Sequence, residues 1–187
     1  LPVEYGGGLA IYDSSPTLIN CKFINNSAAF GGGIGITDSQ DNLGRGGTSN
    51  PQLENCSFID NYANYGAGVW LRSLGIERSS PSFSDCSFTN NYAEEEGGGI
   101  RCSDGDPTFT NCSFTENFAV EGGGGMQAAS GACPSLVGCT FEANTPITPV
   151  TAFLHTDNVP KTIGGLYHGK TQPVDRFKNT SLGHHHW

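Results

Sequence analysis

Five times this chain writes the frame P-x-[LF]-x-x-C-x-F-x-x-N: "PTLINCKFINN" from Pro16, "PQLENCSFIDN" from Pro51, "PSFSDCSFTNN" from Pro81, "PTFTNCSFTEN" from Pro107 and "PSLVGCTFEAN" from Pro134. The prolines are separated by 35, 30, 26 and 27 residues. A glycine cluster follows each of the first four copies: Gly31 to Gly33, Gly66 and Gly68, Gly97 to Gly99, and Gly122 to Gly125. An internal repeat of this length restricts the fold to a solenoid, a propeller or an array.

The pattern inside the unit selects among these. Helical repeats place apolar residues at i, i+3, i+4 and i+7, and this spacing is missing. In the second copy Leu53, Cys56, Phe58 and Asn61 are the candidate inward residues. Cys56 and Phe58 alternate with Ser57, which is strand periodicity. The two-residue gaps on either side read as corners. A second short strand follows the glycines: "GIGI", "GVWL", "GGIRC", "GGMQA". The expectation is an all-β parallel β-helix of about five to six coils, stacked about 4.8 Å apart. Residues 1–144 would form the coils and residues 145–187 an irregular cap or tail.

Each repeated residue type then has a structural job. Phe23, Phe58, Phe88, Phe114 and Phe141 would stack in the interior, where aromatic burial dominates the core. Asn26, Asn61, Asn91, Asn117 and Asn144 would form an internal ladder, because a buried amide needs partners and identical amides can pair up and down a stack. The glycines allow positive φ or a tight corner. Ala28, Ala63, Ala93 and Ala119, two residues after each ladder Asn, would be small inward residues.

Cys21, Cys56, Cys86, Cys112 and Cys139 hold one slot in every copy. Parallel, in-register Cβ vectors about 4.8 Å apart disfavour disulfides, and zinc would want C-x-x-C clusters that are missing here. The expectation is a ladder of buried thiols. Cys102 and Cys133 fall outside the slot, in loops one coil apart, and are a candidate disulfide fitting an oxidising compartment. Sequons at Asn25, Asn55, Asn111 and Asn179 are candidate glycosylation sites, the first three near corners.

The unit C-x-F-x-x-N-x-A-x-x-G-G-[GA]-[ILV] resembles the polymorphic outer-membrane protein repeat, marked by F-x-x-N and G-G-A-I tetrapeptides. "FTNNYAEEEGGGI" and "FTENFAVEGGGGM" match best, and the resemblance covers roughly residues 5–144. It implies a right-handed parallel β-helix within an adhesin, passenger or extracellular scaffold, and no catalytic residues. The regular Cys two before Phe, and Gly where the family often has Ala, depart from the pattern.

The balance of charge narrows the partners. Nine Lys+Arg against 18 Asp+Glu give a net charge of −9, which disfavours nucleic acid and anionic membrane surfaces. No apolar run is long enough for a membrane span. The chain opens mid-repeat at "YGGGLAIYDSSPTL", so residues before Leu1 are expected to have been removed or to belong to a longer protein. An uncapped first coil would let copies join head to tail into a filament.

Carboxylates are the candidates for chemistry. Glu94, Glu95 and Glu96, with Glu121 one coil later, would place carboxylates about 5 Å apart, a weak candidate for Ca²⁺. Asp104 and Asp106 form a second pair. No Arg or Lys stacks beside these in the repeat frame. The insertions "TDSQDNLGRGGTSN" and "LRSLGIERSS" carry Asp38, Asp41, Arg45, Glu77 and Arg78, which would line a shallow groove. The outward columns Ile24, Ile59, Thr89, Thr115, Glu142 and Lys22, Ser57, Ser87, Ser113, Thr140 are only partly polar, too irregular for ice or mineral binding. His184, His185 and His186 before Trp187 read as a solvated end or a truncated tag, with a metal site as the alternative. The whole points to a non-catalytic extracellular or cell-surface scaffold or adhesion module without a cofactor. Its partners would be further copies of itself, or glycans and proteins outside the cell. The alternative is a polysaccharide lyase or glycoside hydrolase acting on an acidic polysaccharide.

Overall fold

The computed structural model describes residues 4–40, 46–132, 134–146 and 161–163. Short strands separated by tight corners wind around one core. A first strand, β1 (Leu9–Tyr12), precedes four complete coils. These are β2 (Thr17–Ile19), β3 (Lys22–Ile24), β4 (Ser27–Phe30) and β5 (Ile34–Thr37); then β6 (Gln52–Glu54), β7 (Ser57–Ile59), β8 (Tyr62–Tyr65) and β9 (Val69–Arg72). The third coil is β10 (Ser82–Ser84), β11 (Ser87–Thr89), β12 (Tyr92–Glu96) and β13 (Ile100–Ser103), and the fourth is β14 (Thr108–Thr110), β15 (Ser113–Thr115), β16 (Phe118–Ala119) and β17 (Met126–Ala129). A fifth begins with β18 (Ser135–Val137), β19 (Thr140–Glu142) and β20 (Thr145–Pro146), and β21 (Lys161–Ile163) follows.

Each strand pairs with its equivalent one coil away, giving four sheets: β2-β6-β10-β14-β18, β3-β7-β11-β15-β19, β4-β8-β12-β16-β20 and β1-β5-β9-β13-β17-β21. All pairings are parallel except the last, where β21 runs antiparallel to β17. This is a parallel β-helix. Each coil holds four strands rather than the two visible in the repeat, because P-x-[LF] and N-x-A also form strands. A three-residue strand has one inward residue and so no alternation to read.

The corners are built from left-handed backbone. The residue before each repeat Cys has φ between +50° and +65° (Asn20, Asn55, Asp85, Asn111, Gly138), and so does the residue before each ladder Asn (Asn25, Asp60, Asn90, Glu116, Ala143). Asn and Asp tolerate this region better than other side chains. Gly31, Gly66, Gly97 and Gly122 turn the chain between the third and fourth sheets at φ of +61° to +71°. Two residues later the need is different: a Cβ on Gly99 would lie 2.3 Å from the Gly125 carbonyl oxygen and 3.2 Å from the Phe114 ring. Only a residue without Cβ lets the coils meet there.

The core is made of columns. Leu53, Phe83 and Phe109 point inward from the first sheet, Phe58, Phe88, Phe114 and Phe141 from the second, and Ile34, Val69, Ile100 and Met126 from the fourth. Ala63, Ala93 and Ala119 face inward from the third and form a small cluster with Ala67.

Candidate functional site

The repeated residues form ladders. Phe23, Phe58, Phe88, Phe114 and Phe141 stack with successive ring centroids 5.1, 4.7, 4.7 and 4.4 Å apart. The interior ladder asparagines Asn61, Asn91 and Asn117 use their whole hydrogen-bonding capacity. Asn91 Nδ2 donates to Asn117 Oδ1 at 2.8 Å and to the Phe58 carbonyl at 3.0 Å, while Asn91 Oδ1 accepts Asn61 Nδ2 at 2.9 Å and Asn61 N at 3.1 Å. The column continues from Asn26 into Asn61 at 3.0 Å and from Asn117 into Asn144 at 2.9 Å.

Cys21, Cys56, Cys86, Cys112 and Cys139 are free thiols. All five donate to main-chain carbonyls: Cys21 to Ile19, Cys56 to Leu18, Cys86 to Leu53, Cys112 to Phe83 and Cys139 to Phe109. Burial pushes Cys56 up to about 11. Cys112, hydrogen-bonded to the thiols of Cys139 and Cys86, is raised, and it lowers both of them, Cys139 to about 7.

Cys102 corrects the sequence reading, which put it in a loop. It lies in β13 with no exposed surface. It fills the inward slot held by Leu71 in β9 and Ala128 in β17. It is a free thiol here, donates to the Gly105 carbonyl at 3.7 Å and is pushed up to about 12 by burial. Its candidate partner Cys133 lies outside the described residues.

The glutamate run does not converge on a cation site. The Glu94 carboxylate accepts the Tyr62 hydroxyl and that of Glu95 accepts the Tyr65 hydroxyl, each phenol lying one coil back. These bonds, before burial, push both phenols up to about 12. Glu96 takes Arg101 Nε at 2.9 Å, so a cation does stand beside the run. Sequence spacing hid it because Arg101 reaches back across the glycine corner. Glu121 is exposed, with its N–H on the Glu95 carbonyl at 2.6 Å. Among the described residues no three His, Cys, Asp or Glu side chains group to hold a metal.

The same corner makes a cleft. Side chains leaving the third sheet face those entering the fourth. On one wall Tyr5, Phe30 and Tyr65 stack at 5.3 and 5.4 Å, and the Arg101 guanidinium continues the column 5.4 Å above the Tyr65 ring. Trp70 lies across it, 5.1 Å from Phe30 and only 4% exposed. The opening has a volume of about 150 Å³ and is lined by Phe30, Tyr65, Trp70 and, on its polar side, Arg72, Arg101, Ser103, Asp104 and Ser130. Arg101 also donates to the Ser103 hydroxyl. Arg72, in register with Ser103, is exposed and makes no ion pair among the described residues.

The family model described as "right handed beta helix region" matches residues 4–145. The chain belongs to this right-handed β-helix family. No curated protein and no solved structure is a significant match to it. The β-helix match spans every ladder described above and both sides of the cleft.

Among the described residues of the two insertions, Asp38 and Arg78 fasten loops together instead of lining a groove. Asp38 turns inward with no exposed surface, accepting Ser73 Oγ at 2.8 Å, Ser79 Oγ at 2.6 Å and Leu74 N at 2.5 Å. It ties the first insertion to the second. Glu77 is exposed. Arg78 pairs with Asp106 at 3.2 Å and donates to the Gly131 carbonyl at 2.7 Å, so it fastens its loop to later coils. Asp41 and Arg45 lie outside the described residues. Of the sequons, Asn25, Asn55 and Asn111 are exposed at corners with φ of +54°, +50° and +54°. Asn55 Nδ2 donates to Asn20 Oδ1 at 2.6 Å and Asn111 Nδ2 to Asp85 Oδ1 at 3.3 Å. Asn179 and His184 to His186 lie outside the described residues.

Sequence reasoning missed the cleft. Its one signal was the pair of positions flanking each glycine cluster, where aromatic residues give way to Glu96 and Arg101 in the third coil.

Proposed function

We propose that this chain is a non-catalytic β-helix module, working outside the cell or on its surface as a scaffold or adhesion element. The observation that carries the reading is the use of its acidic side chains. Glu94, Glu95, Glu96 and Asp106 each bind a Tyr or Arg of a neighbouring strand or coil. They hold the solenoid together instead of converging as an acid and a base, which catalysis of glycoside cleavage requires. The likeness of the repeat to that of polymorphic outer-membrane proteins supports the extracellular setting, as does the exposure of three sequons at corners. Its partners on this reading are extracellular glycans and proteins, or further copies of itself.

Incubation of the full chain with polygalacturonate and with neutral polysaccharides, in Ca²⁺ and in chelator, tests the reading. No new chain ends are expected in any of them. Accumulation of unsaturated or reducing ends would make the chain a carbohydrate-active enzyme instead.

A further inference from the structure

We propose that the cysteine ladder binds Cu(I), one ion between the thiolates of Cys21 and Cys56 and a second between those of Cys112 and Cys139. Each ion displaces two thiol protons to solvent and forms two Cu–S bonds, with no change of oxidation state. The inference goes beyond the scaffold reading and does not depend on it.

The sulfurs repeat as regularly as the coils. Successive coils are tied beside the ladder by one recurring main-chain bond, from Ser57 N to the Cys21 carbonyl, Ser87 N to that of Cys56, Ser113 N to that of Cys86 and Thr140 N to that of Cys112, each at 2.9 Å. Every ladder Sγ also lies 3.3 to 3.6 Å from the carbonyl two residues earlier. This shared orientation sets the sulfurs in a line, spaced as the strands are, about 4.8 Å apart. A disulfide needs its sulfurs about 2.0 Å apart, so the spacing refuses a direct bond between neighbours. It admits an ion. Two metal–thiolate bonds on the zinc scale of about 2.3 Å, placed end to end, span about 4.6 Å.

Coordination chemistry selects the metal. Zinc takes four ligands in a tetrahedron, whereas each gap in the ladder offers two sulfurs, and among the described residues no group of three His, Cys, Asp or Glu could hold an ion. The column stands in the apolar core with Leu53, Phe83 and Phe109, which supply no further ligand. Soft thiolates favour Cu(I), and this ion accepts two ligands in line. Access is from the ends of the column. Cys21 is half-buried, and Cys139 is 6% exposed where Cys56, Cys86 and Cys112 are each 1% exposed. Filling from both ends uses four thiols and leaves Cys86 between the two ions.

Anaerobic titration of the full, reduced chain with Cu(I), in competition with the chelator bicinchoninate, tests the site. About two ions per chain should be withheld from the chelator, and X-ray absorption at the copper edge should show two sulfurs at each. A ladder also makes the effect of a substitution depend on position. Cys112→Ala isolates Cys139, and Cys56→Ala isolates Cys21, so either variant should hold about one ion fewer. Cys86→Ala leaves both pairs intact and should bind as the parent does, although Cys86 and Cys112 are equally buried. Cys102→Ala should also bind as the parent does, because Leu71 and Ala128, not thiols, flank it in its column. Circular dichroism checks that each variant folds, and Cys56→Ala carries the same prediction where Cys112→Ala does not. Surrender of both ions to bicinchoninate by the parent, a third sulfur at the copper, full binding in Cys112→Ala, or equal losses in Cys112→Ala and Cys86→Ala would overturn the proposal.

Discussion

Asn91 shows what one side chain does in this stack. Its amide makes four hydrogen bonds and has no exposed surface. Asn91→Ala would strand the Asn61 N–H and one hydrogen of Asn61 Nδ2 in the interior, and would take one donor each from Asn117 Oδ1 and the Phe58 carbonyl. An unmet buried group costs about 1–3 kcal/mol, so a loss of about 3 kcal/mol is expected in denaturant unfolding. Asn91→Asp should be comparably harmful, because its carboxylate would oppose Asn117 Oδ1 and the Phe58 carbonyl where the amide donated. A variant as stable as the parent would mean that the ladder is not formed. The inward positions were legible because alternation around Ser57 fixes which side chains share a face. The left-handed corners were legible in part: Asn and Asp precede most ladder residues, but Glu116 and Ala143 adopt the same backbone without that signature. Asp38 was not legible. Its burial depends on Ser73 and Ser79, which meet it only after the two insertions stack.

At the scale of the element, glycine sets how closely coils approach. Gly99 follows β12 and precedes β13, and its Cα–H faces the Gly125 carbonyl and the Phe114 ring of the next coil. Gly99→Ala should therefore destabilise by about 2 kcal/mol or more, in line with overpacking of a close contact. The expected readout is a lowered urea midpoint, and an unchanged midpoint would show that the coils are looser than described. The strand count per coil escaped the sequence reading because β2 and its equivalents have three residues each. Arg101 escaped it for a related reason: its partner Glu96 stands five residues earlier in the chain, and the turn at Gly97 brings the two together.

At the scale of the molecule, stability in a stack of this kind is a sum over coils and the contacts between neighbours. The frame P-x-[LF]-x-x-C-x-F-x-x-N sufficed to read the architecture, since the same register recurs from Phe23 to Phe141. The cleft could not be read this way, because it arises where the third coil departs from the aromatic pattern. The central claim is that the glutamates of the third coil fasten neighbouring strands and coils together. Thermal unfolding of the Glu94→Gln, Glu95→Gln, Glu96→Gln variant tests it most directly. Loss of the Arg101 ion pair and weakening of both phenol hydrogen bonds should lower the midpoint by about 5 °C, the scale of one to two kcal/mol in a chain of this size. A midpoint identical to that of the parent would contradict the account.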